Sequence, residues 1–146
     1  MDKELIELFR TLAMKHRNVI SKYLNEHGIY LGQHRTIFTL SKHPDSTLTE
    51  LAKRLEVSKE SLSVSVRRLE SSGLIEKTID PNDRRSYLLR LSDEGDRVAK
   101  ACRDGFDVIN NSMFKNMTDE EKDSLVYLFN KMIRGLEEGV DYEKSI

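Results

Sequence analysis

The chain has 146 residues and a formal net charge of −1, which is enough length for a domain with a buried core and too little charge to mark a strongly basic or acidic protein. Charged residues make up 34% and apolar residues 38%, as in soluble, mainly helical proteins. Apolar runs stay below the ~20 residues of a membrane-spanning helix, and the start MDKELIELF lacks a signal-peptide core, so no membrane or secretory segment is expected. The single cysteine, Cys102, cannot form an internal disulfide, which fits a cytoplasmic location.

Positive charge is displaced away from the C-terminal third of the chain. Lys and Arg exceed Asp and Glu by two in residues 1–46 and again in residues 47–92, whereas residues 93–146 carry a balance of −5. This bias is small, and it does not identify a partner by itself.

The first 43 residues predict two amphipathic helices. Apolar residues recur at steps of three and four from Asp2 to about Glu26, and His27-Gly28 ends that helix. A second helix is predicted from Gly32 to His43, with Ile37, Phe38 and Leu40 apolar and Pro44 as the stop. The stripe predicted to be buried in the first helix comprises Leu5, Leu8, Phe9, Leu12, Val19, Ile20, Tyr23 and Leu24.

Two short helices joined by a few residues follow, which is the spacing of a helix-turn-helix. In TLTELAKRL, Thr47 and Glu50 have capping-box spacing. After EVS, Ser58 can cap a helix over residues 58–72, and Gly73 suits its C-terminal cap. The positions predicted to face inward in that helix are Leu62, Val66 and Leu69.

A β-hairpin is predicted next. LIEKTI and SYLLRL alternate apolar and polar residues, and DPND between them is a turn signal. A helix-turn-helix followed by a hairpin is a winged helix, and DPNDRRS (residues 80–86) forms the tip of the wing. The predicted fold class is therefore mainly α with a small β-hairpin wing.

Two further helices are predicted at the C-terminal end. Ser92 and the acids after it start a long helix, and Thr118 and Glu121 have the spacing of a capping box at the start of the last one. The predicted inward positions are Val98, Cys102, Phe106 (or Ile109) and Met113 in the first, and Leu125, Leu128, Phe129, Met132 and Leu136 in the second. Because a small winged helix cannot bury so many apolar residues, the surplus predicts a helical dimer interface. The predicted organisation is a dimerisation helix (1–30), a DNA-binding lobe (31–92) and C-terminal dimerisation helices (93–146).

Four sequence blocks make the chain resemble the MarR family of bacterial transcription regulators (multiple-antibiotic-resistance regulators). The blocks are ELAKRL, RLESSGLI, DPNDRR and LSDEG, which occur in the family's order and spacing between Leu31 and Gly95. A single block would carry little weight, whereas four in register indicate membership.

The resemblance implies a homodimeric regulator, commonly a repressor, whose two winged-helix lobes bind palindromic double-stranded DNA. Many family members release DNA when a small, often phenolic, ligand binds between the lobe and the dimer domain, and some sense oxidants through cysteine, or zinc. None of these sensing modes follows from the spacing of residues in this chain.

The helix over residues 58–72 is the predicted recognition helix for the major groove. Val64 stands where a common arginine occurs in the family pattern, so contact with a thymine methyl is expected there. The alternative is an ordinary solvated helix face. The predicted contacts are Ser58 and Lys59 at the N-terminus, Ser61 at the edge, and Ser63, Val64, Arg67 and Arg68 on the outer face, which also carries Glu60.

In the wing, Arg85 resembles the arginine that the family inserts into the minor groove, and Asp83 resembles the aspartate that orients it. Narrow minor grooves favour a guanidinium through their negative potential. Arg84 is expected nearer the phosphates. The alternative is a solvated turn with a local Asp–Arg pair worth less than about 1 kcal/mol.

Two weaker groups of residues complete the predictions. Gln33, His34 and Arg35 are expected to contact phosphate, with a plain polar helix start as the alternative. A pocket for a small aromatic ligand is expected where the first and fifth helices meet the lobe. Its loose candidates are Met14, Arg17 and Tyr30, which equally fit dimer-core or surface positions.

Metal, redox and catalytic roles are not expected. The four histidines form no H-x-x-x-H pair and lie far from Cys102 in sequence, so no metal site or cofactor is predicted. Cys102 lies on an apolar stripe, where a buried, inert thiol is the expected state. The chain contains no nucleophile motif or glycine-rich phosphate loop, which argues against an enzyme. A protein–protein adaptor would be expected to have a wing without basic residues, and this wing keeps Arg84 and Arg85.

Overall fold

The computed structural model describes residues 2–141, and over that range it confirms a mainly helical chain with a two-stranded antiparallel hairpin. The elements are α1 (Lys3–Glu26), α2 (Gln33–Lys42), α3 (Leu48–Leu55), α4 (Lys59–Ser71), β1 (Ile75–Asp80), β2 (Asp83–Leu91), α5 (Asp93–Met113) and α6 (Asp119–Glu137). The chain forms two compact units, Met1–Ile109 and Asn110–Ile146. No helix in the described range is long and apolar enough to cross a membrane. The predicted division into dimerisation and DNA-binding parts, at residues 30 and 92, concerns function rather than compactness, and it stays a prediction.

Hydroxyl side chains begin four of the helices, as their spacing predicts. Ser58 and Ser92 accept hydrogen bonds from backbone N–H groups three residues later, at 3.1 and 3.0 Å. Thr118 forms the complete capping box, in which its hydroxyl and the Glu121 carboxylate each accept a backbone N–H.

The box predicted at the start of α3 is only half formed. The Thr47 hydroxyl accepts the N–H of Glu50 at 3.2 Å, but no return bond from the Glu50 carboxylate occurs within the described residues. Glu50 is exposed. Water can therefore satisfy its carboxylate, and little is lost when the second bond is not made.

Positive φ angles end the helices where the sequence places glycine. Gly28 (φ 77°) follows α1, and Gly73 (φ 78°) follows α4. At the second end, the N–H of Leu74 reaches back to the carbonyl of Leu69 at 2.9 Å, which satisfies a carbonyl that the helix leaves free. The end of α3 differs, because Glu56 takes φ 56° without being glycine.

The core of the first unit confirms the predicted inner face of α4, whose apolar residues are 1–3% exposed. It combines side chains from five helices, the α1–α2 and α4–β1 connections and both strands, with Phe38, Leu48, Phe106 and Ile109 packed at its margin. Its members are Ile20, Leu24, Ile29, Ile37, Leu40, Leu51, Ala52, Leu55, Leu62, Val66, Leu69, Leu74, Ile75, Leu89, Leu91, Val98, Ala99 and Cys102.

The hairpin turn is tighter than the sequence predicts. β1 and β2 pair from Ile75↔Leu91 to Asp80↔Asp83, so that only Pro81 and Asn82 remain in the turn. The carboxylates of Asp80 and Asp83 accept backbone N–H groups two residues later, at 2.9 and 3.0 Å, which stabilises the short turn. The wing arginines therefore lie on strand β2 rather than in a loop.

Two glycines allow α5 to lie close to its neighbours. A Cβ at Gly95 would overlap the carbonyl oxygen of Leu74, and a Cβ at Gly105 would overlap the ring of Tyr23. Tyr23 also donates its hydroxyl proton to the carbonyl of Ala101 at 2.8 Å. These approaches join α5 to the rest of the unit, and they explain the glycine in the LSDEG block.

Many apolar residues predicted in stripes are exposed in the single chain. In α1, only Ile20 and Leu24 are buried, and α6 has no buried residue. Met113 is 39% exposed in the single chain, and its predicted inward position, like the rest of the apolar surplus assigned to a dimer interface, stays a prediction. The exposed apolar residues of α1 are Leu5, Leu8, Phe9, Leu12, Met14 and Val19, and those of α6 are Val126, Tyr127, Leu128, Phe129, Met132, Ile133 and Leu136.

Candidate nucleic-acid interface

The outer face of α4 carries the side chains predicted for the major groove. Ser58 caps the helix, and Ser63 is half-buried between the outer and inner faces. Val64 is 47% exposed, whereas Val66, the other valine of α4, is buried. The remaining predicted residues of this face are exposed, namely Lys59, Ser61, Arg67 and Arg68.

The start of α4 offers backbone donors as well as side chains. The first N–H groups of any helix have no partner within the helix, and the Ser58 hydroxyl takes only the N–H of Ser61. An anion at this end would also gain from the helix dipole. Farther along α4, the guanidinium of Arg67 donates to the hydroxyl of Ser63, one turn before it, at 3.4 Å, so the Arg67 side chain lies along the outer face of the helix.

The wing places both arginines on exposed backbone. Asp83 accepts the backbone N–H of Arg85 at 3.0 Å, so any orienting effect acts through the main chain and not through the guanidinium. Within residues 2–141, neither Arg84 nor Arg85 forms an ion pair. The local Asp–Arg pair that the sequence left as an alternative is therefore not formed.

A cleft of about 280 Å³ lies between α3, α4 and the wing. Among the described residues, the charged ones that line it are Lys59, Lys77 and Arg85, and no Asp or Glu does so. The cleft thus connects the predicted recognition helix to the predicted wing contact through positive charge. Its other lining residues are Thr47, Leu48, Thr49, Ser63, Val66, Ser86, Tyr87 and Leu89.

Sequence reasoning missed Lys77 and Tyr87 in this cleft. The ammonium of Lys77 lies 5.5 Å from the centre of the Tyr87 ring and 3.6 Å from the carboxylate of Glu70. Lys77 faces the cleft because it pairs across the hairpin with the buried Leu89. The sequence predicts that a hairpin exists, but not which residues of its two strands pair, so this position could not be found.

The start of α2 uses its polar side chains within the chain. Gln33 accepts the N–H of Tyr30 at 2.8 Å, and Arg35 donates to the carbonyl of Leu55 at 3.4 Å. His34 packs edge-on against Phe38 and Phe106 at 5.8 and 5.7 Å between ring centres. Burial, then the charge of Arg35, lowers the pKa of His34, and its neutral Nδ1 accepts the N–H of Gly32. Phosphate contact by Gln33 and Arg35 stays a prediction.

The loose ligand candidates are not brought together in one pocket. Met14 and Tyr30 are 56% and 67% exposed, and Arg17 is exposed too. Tyr30 lines a shallow pocket with Arg67 and Arg68, but neither Met14 nor Arg17 lines it.

Cys102 is fully buried, at 0% exposure, in the core of the first unit. Burial raises the pKa of its thiol, which lowers the fraction present as the reactive thiolate. Within the described residues, no group of three or more His, Cys, Asp or Glu side chains could hold a metal ion.

We expect Cys102 to react at least about tenfold more slowly with iodoacetamide at pH 7.5 in the folded protein than in urea, because the thiolate is both scarce and covered. Mass spectrometry of timed samples measures the rate. A Ser71→Cys variant, which places a thiol at an exposed position, should add one rapidly alkylated site. Equal rates for Cys102 in the two states would show that this thiol is accessible.

Comparisons with known proteins agree with this geometry. The model of the MarR family matches residues 29–87. The chain is 30% identical over 135 residues to the multiple antibiotic resistance protein MarR of Salmonella typhimurium, covering 89% of this chain and 93% of that protein. It is also 30% identical over 105 residues to the transcriptional regulator BilQ of Clostridioides difficile, covering 72% and 71%. A solved structure of mutant MarR from E. coli complexed with operator DNA is similar with a TM-score of 0.68 at 28% identity, covering 89% of this chain and 94% of that one.

Proposed function

The chain belongs to the MarR family, and we propose that it is a homodimeric transcription repressor that binds an inverted-repeat operator in double-stranded DNA. It would act in the cytoplasm, where it reaches that DNA. The names of its relatives describe transcription regulators, which supports a regulator over an enzyme.

One observation carries this proposal: the outer face of α4 and strand β2 of the wing share a cleft whose charged lining residues are all positive. An α-helix fits the major groove, and a wing beside it reaches the neighbouring minor groove. Phosphates flank both grooves, so cations between the two elements would lie next to negative charge. The alternative, that the outer face of α4 only contacts water, does not explain why positively charged side chains line the cleft between α4 and the wing.

Each predicted contact residue has a proposed role. Ser61, Ser63, Val64, Arg67 and Arg68 would face base edges in the major groove, with Val64 against a thymine methyl. Ser58 and Lys59 would contact phosphate at the helix start. Arg85 would enter the minor groove and Arg84 would lie on its phosphate rim, while Asp83 holds the backbone of Arg85. Gln33 and Arg35 would contact phosphate beside α2.

Dimerisation would bury the exposed apolar faces. Monomeric proteins seldom leave so many large apolar side chains in water, and α6 buries none of its own. Two-fold symmetry would place the two α4 helices about 34–36 Å apart, which is one turn of duplex. A small aromatic ligand bound between lobe and dimer region would release DNA by changing that separation.

A protein–protein adaptor is the competing function. Such an adaptor has no need of unpaired arginines on the wing, whereas Arg84 and Arg85 are exposed and form no ion pair in the described part of the chain. The wing therefore favours DNA.

Selection of bound sequences from random duplex DNA tests the function directly. We expect enrichment of an inverted repeat with half-site centres about 10–10.5 base pairs apart, because the two lobes are symmetric. Affinity for the enriched duplex should fall steeply between 50 and 200 mM salt as phosphate contacts release counterions. A purified protein that stays monomeric at micromolar concentration, or that enriches no duplex at low salt, would contradict the proposal.

A further inference from the structure

The turn between α2 and α3 is tied to the wing, although 43 or more residues separate them in sequence. The N–H of Leu89 in β2 donates to the carbonyl of Ser46 at 2.8 Å, as an isolated antiparallel bridge. Beside it, the guanidinium of Arg90 donates to both carboxylate oxygens of Asp45, through three contacts of 2.7–2.8 Å. One backbone bond and one forked ion pair therefore join the α2–α3 turn to the wing root, in addition to the buried side chains that anchor the strands in the core.

Asp45 has an unusual backbone conformation. Its φ is 60°, in the left-handed region that most side chains avoid, and it follows Pro44 in the turn. Asp and Asn are among the few residues that tolerate this region. The conformation of the turn presents the carboxylate to Arg90, since the neighbouring Ser46 is fixed by its own bond to the His43 carbonyl at 2.7 Å.

The Asp45–Arg90 ion pair can fix the direction in which the wing points, although it adds little to the stability of the fold. Its two side chains are 48% and 41% exposed, and exposed pairs add little to the free energy of unfolding. A planar guanidinium that donates to a carboxylate through two of its nitrogens, here Nε and Nη2, is nevertheless restricted in orientation. Arg90 is thus held in a defined position on β2.

Because Arg90 lies far from the wing tip, a small change in the orientation of the wing at Arg90 moves the tip by a large distance. Arg85 lies five residues away on the same strand, which corresponds to about 17 Å of extended chain. A tilt of 5° at the root would move the tip by about 1.5 Å, against a minor groove about 6 Å wide. Another side-chain tie of the wing to the helices is the longer Lys77–Glu70 pair, at 3.6 Å.

We propose that Asp45 is a positioning residue for DNA binding, which holds Arg90 and thereby directs the wing so that Arg85 enters the minor groove. The inference rests on the proposed function, because it concerns the reach of a DNA contact. It assigns Asp45 no contact with DNA.

The sign of the effect separates positioning from simple electrostatics. Asp45 carries negative charge on a lobe that faces a polyanion, so removing that charge should strengthen binding if only long-range repulsion matters. Loss of a positioning residue should weaken binding instead. The two explanations therefore predict opposite results for the same substitution.

Asp45→Asn is the test variant, because asparagine tolerates the left-handed conformation and nearly preserves the shape of the side chain. Binding to the selected operator is measured by fluorescence anisotropy at several salt concentrations. We expect Kd to rise about three- to tenfold, below the full loss of an arginine contact, with an unchanged melting temperature. The slope of log Kd against log salt should stay the same, since no phosphate contact is lost.

Glu56→Asn is the matched control. Glu56 also has a positive φ, at 56°, and it forms no ion pair within the described residues. This substitution removes the same charge from the same kind of backbone position in the same lobe. Binding should stay equal or become slightly tighter.

A double-mutant cycle identifies the route of the effect. If Asp45 acts through the wing tip, Asp45→Asn should change Kd less than twofold once Arg85→Ala is present. Arg90→Lys, which keeps the charge but loses the planar fork, should also weaken binding, and it provides a second variant in case the turn fails to form.

The outcomes separate the two proposals. If the unsubstituted protein binds the operator and both variants bind as tightly or more tightly, positioning by Asp45 is wrong while DNA binding stands. If the unsubstituted protein binds no duplex, both proposals fail. Full additivity with Arg85→Ala would also overturn positioning through the wing.

Discussion

Replacing Arg85 by alanine is expected to weaken operator binding by about 1–3 kcal/mol, because it removes a guanidinium from the minor groove. Arg85 is exposed on β2 and has no ion pair in the described residues, so its loss should leave the fold intact. Anisotropy titrations with the selected operator measure the loss. Size-exclusion chromatography and thermal melts should show an unchanged dimer and melting temperature.

Arg84→Ala is the control for charge alone. It removes the same group one residue away, where phosphate contact is expected, so binding should weaken by a smaller amount for all duplexes. The salt slope should fall by about one. If Arg85→Ala retained full affinity across salt concentrations, the minor-groove role of the wing would be wrong.

Replacing Gly95 by alanine is expected to lower the free energy of unfolding by about 1–2 kcal/mol. The new methyl group would overlap the carbonyl oxygen of Leu74, a backbone atom that also accepts the N–H of Ser92 at 3.0 Å. Overpacking costs about 1–3 kcal/mol, and an overlap with a backbone carbonyl falls in the upper part of that range, at about 2–3 kcal/mol, because the backbone cannot rotate away as a flexible side chain can. Alanine gains about 1 kcal/mol in helix propensity, which offsets only part of that cost. Urea titrations at one fixed protein concentration measure the shift.

Asp96→Ala is the control that tests whether the loss of stability is specific to position 95 or follows from any alanine substitution in this turn of α5. Asp96 is the exposed neighbour of Gly95 in the first turn of α5. The loss of its favourable charge there is offset by the higher helix propensity of alanine, so this change should alter stability by less than about 0.5 kcal/mol. If Gly95→Ala were as stable as the unsubstituted protein, α5 would have to stand farther from Leu74 than the structure shows.

The parts of the fold set by neighbouring residues could be predicted from sequence. The hydroxyl residues that begin α3, α4, α5 and α6 are in place, and the inner face of α4 follows its four- and three-residue steps. The family resemblance was confirmed by the relatives. Local patterns suffice here because caps and helix faces depend on residues three or four positions apart.

Contacts between distant parts of the chain could not be predicted. The bridge between Ser46 and Leu89 and the pairing of Asp45 with Arg90 depend on how the wing folds back against a turn. Likewise, the place of Lys77 in the cleft requires the hairpin register. A single sequence shows that these residues are polar or apolar, but not which of them meet.

The candidate site shows the same limit. The exposure of Arg67, Arg84 and Arg85 agrees with the predicted outward positions. At the start of α2, Gln33 and Arg35 make bonds within the chain, and their phosphate contact stays a prediction. A polar residue near a helix start fits both roles equally well, so its sequence could not separate them.

The exposed apolar side chains of α1 and α6 affect how operator occupancy depends on the amount of protein in the cell. If the proposed dimer covers these side chains and is the species that binds DNA, its amount below the dissociation constant of the dimer grows with the square of the amount of chain. Operator occupancy would then rise with a threshold as the cell makes more protein. Modest changes in expression would thus switch the regulated genes more sharply than a single-chain regulator could.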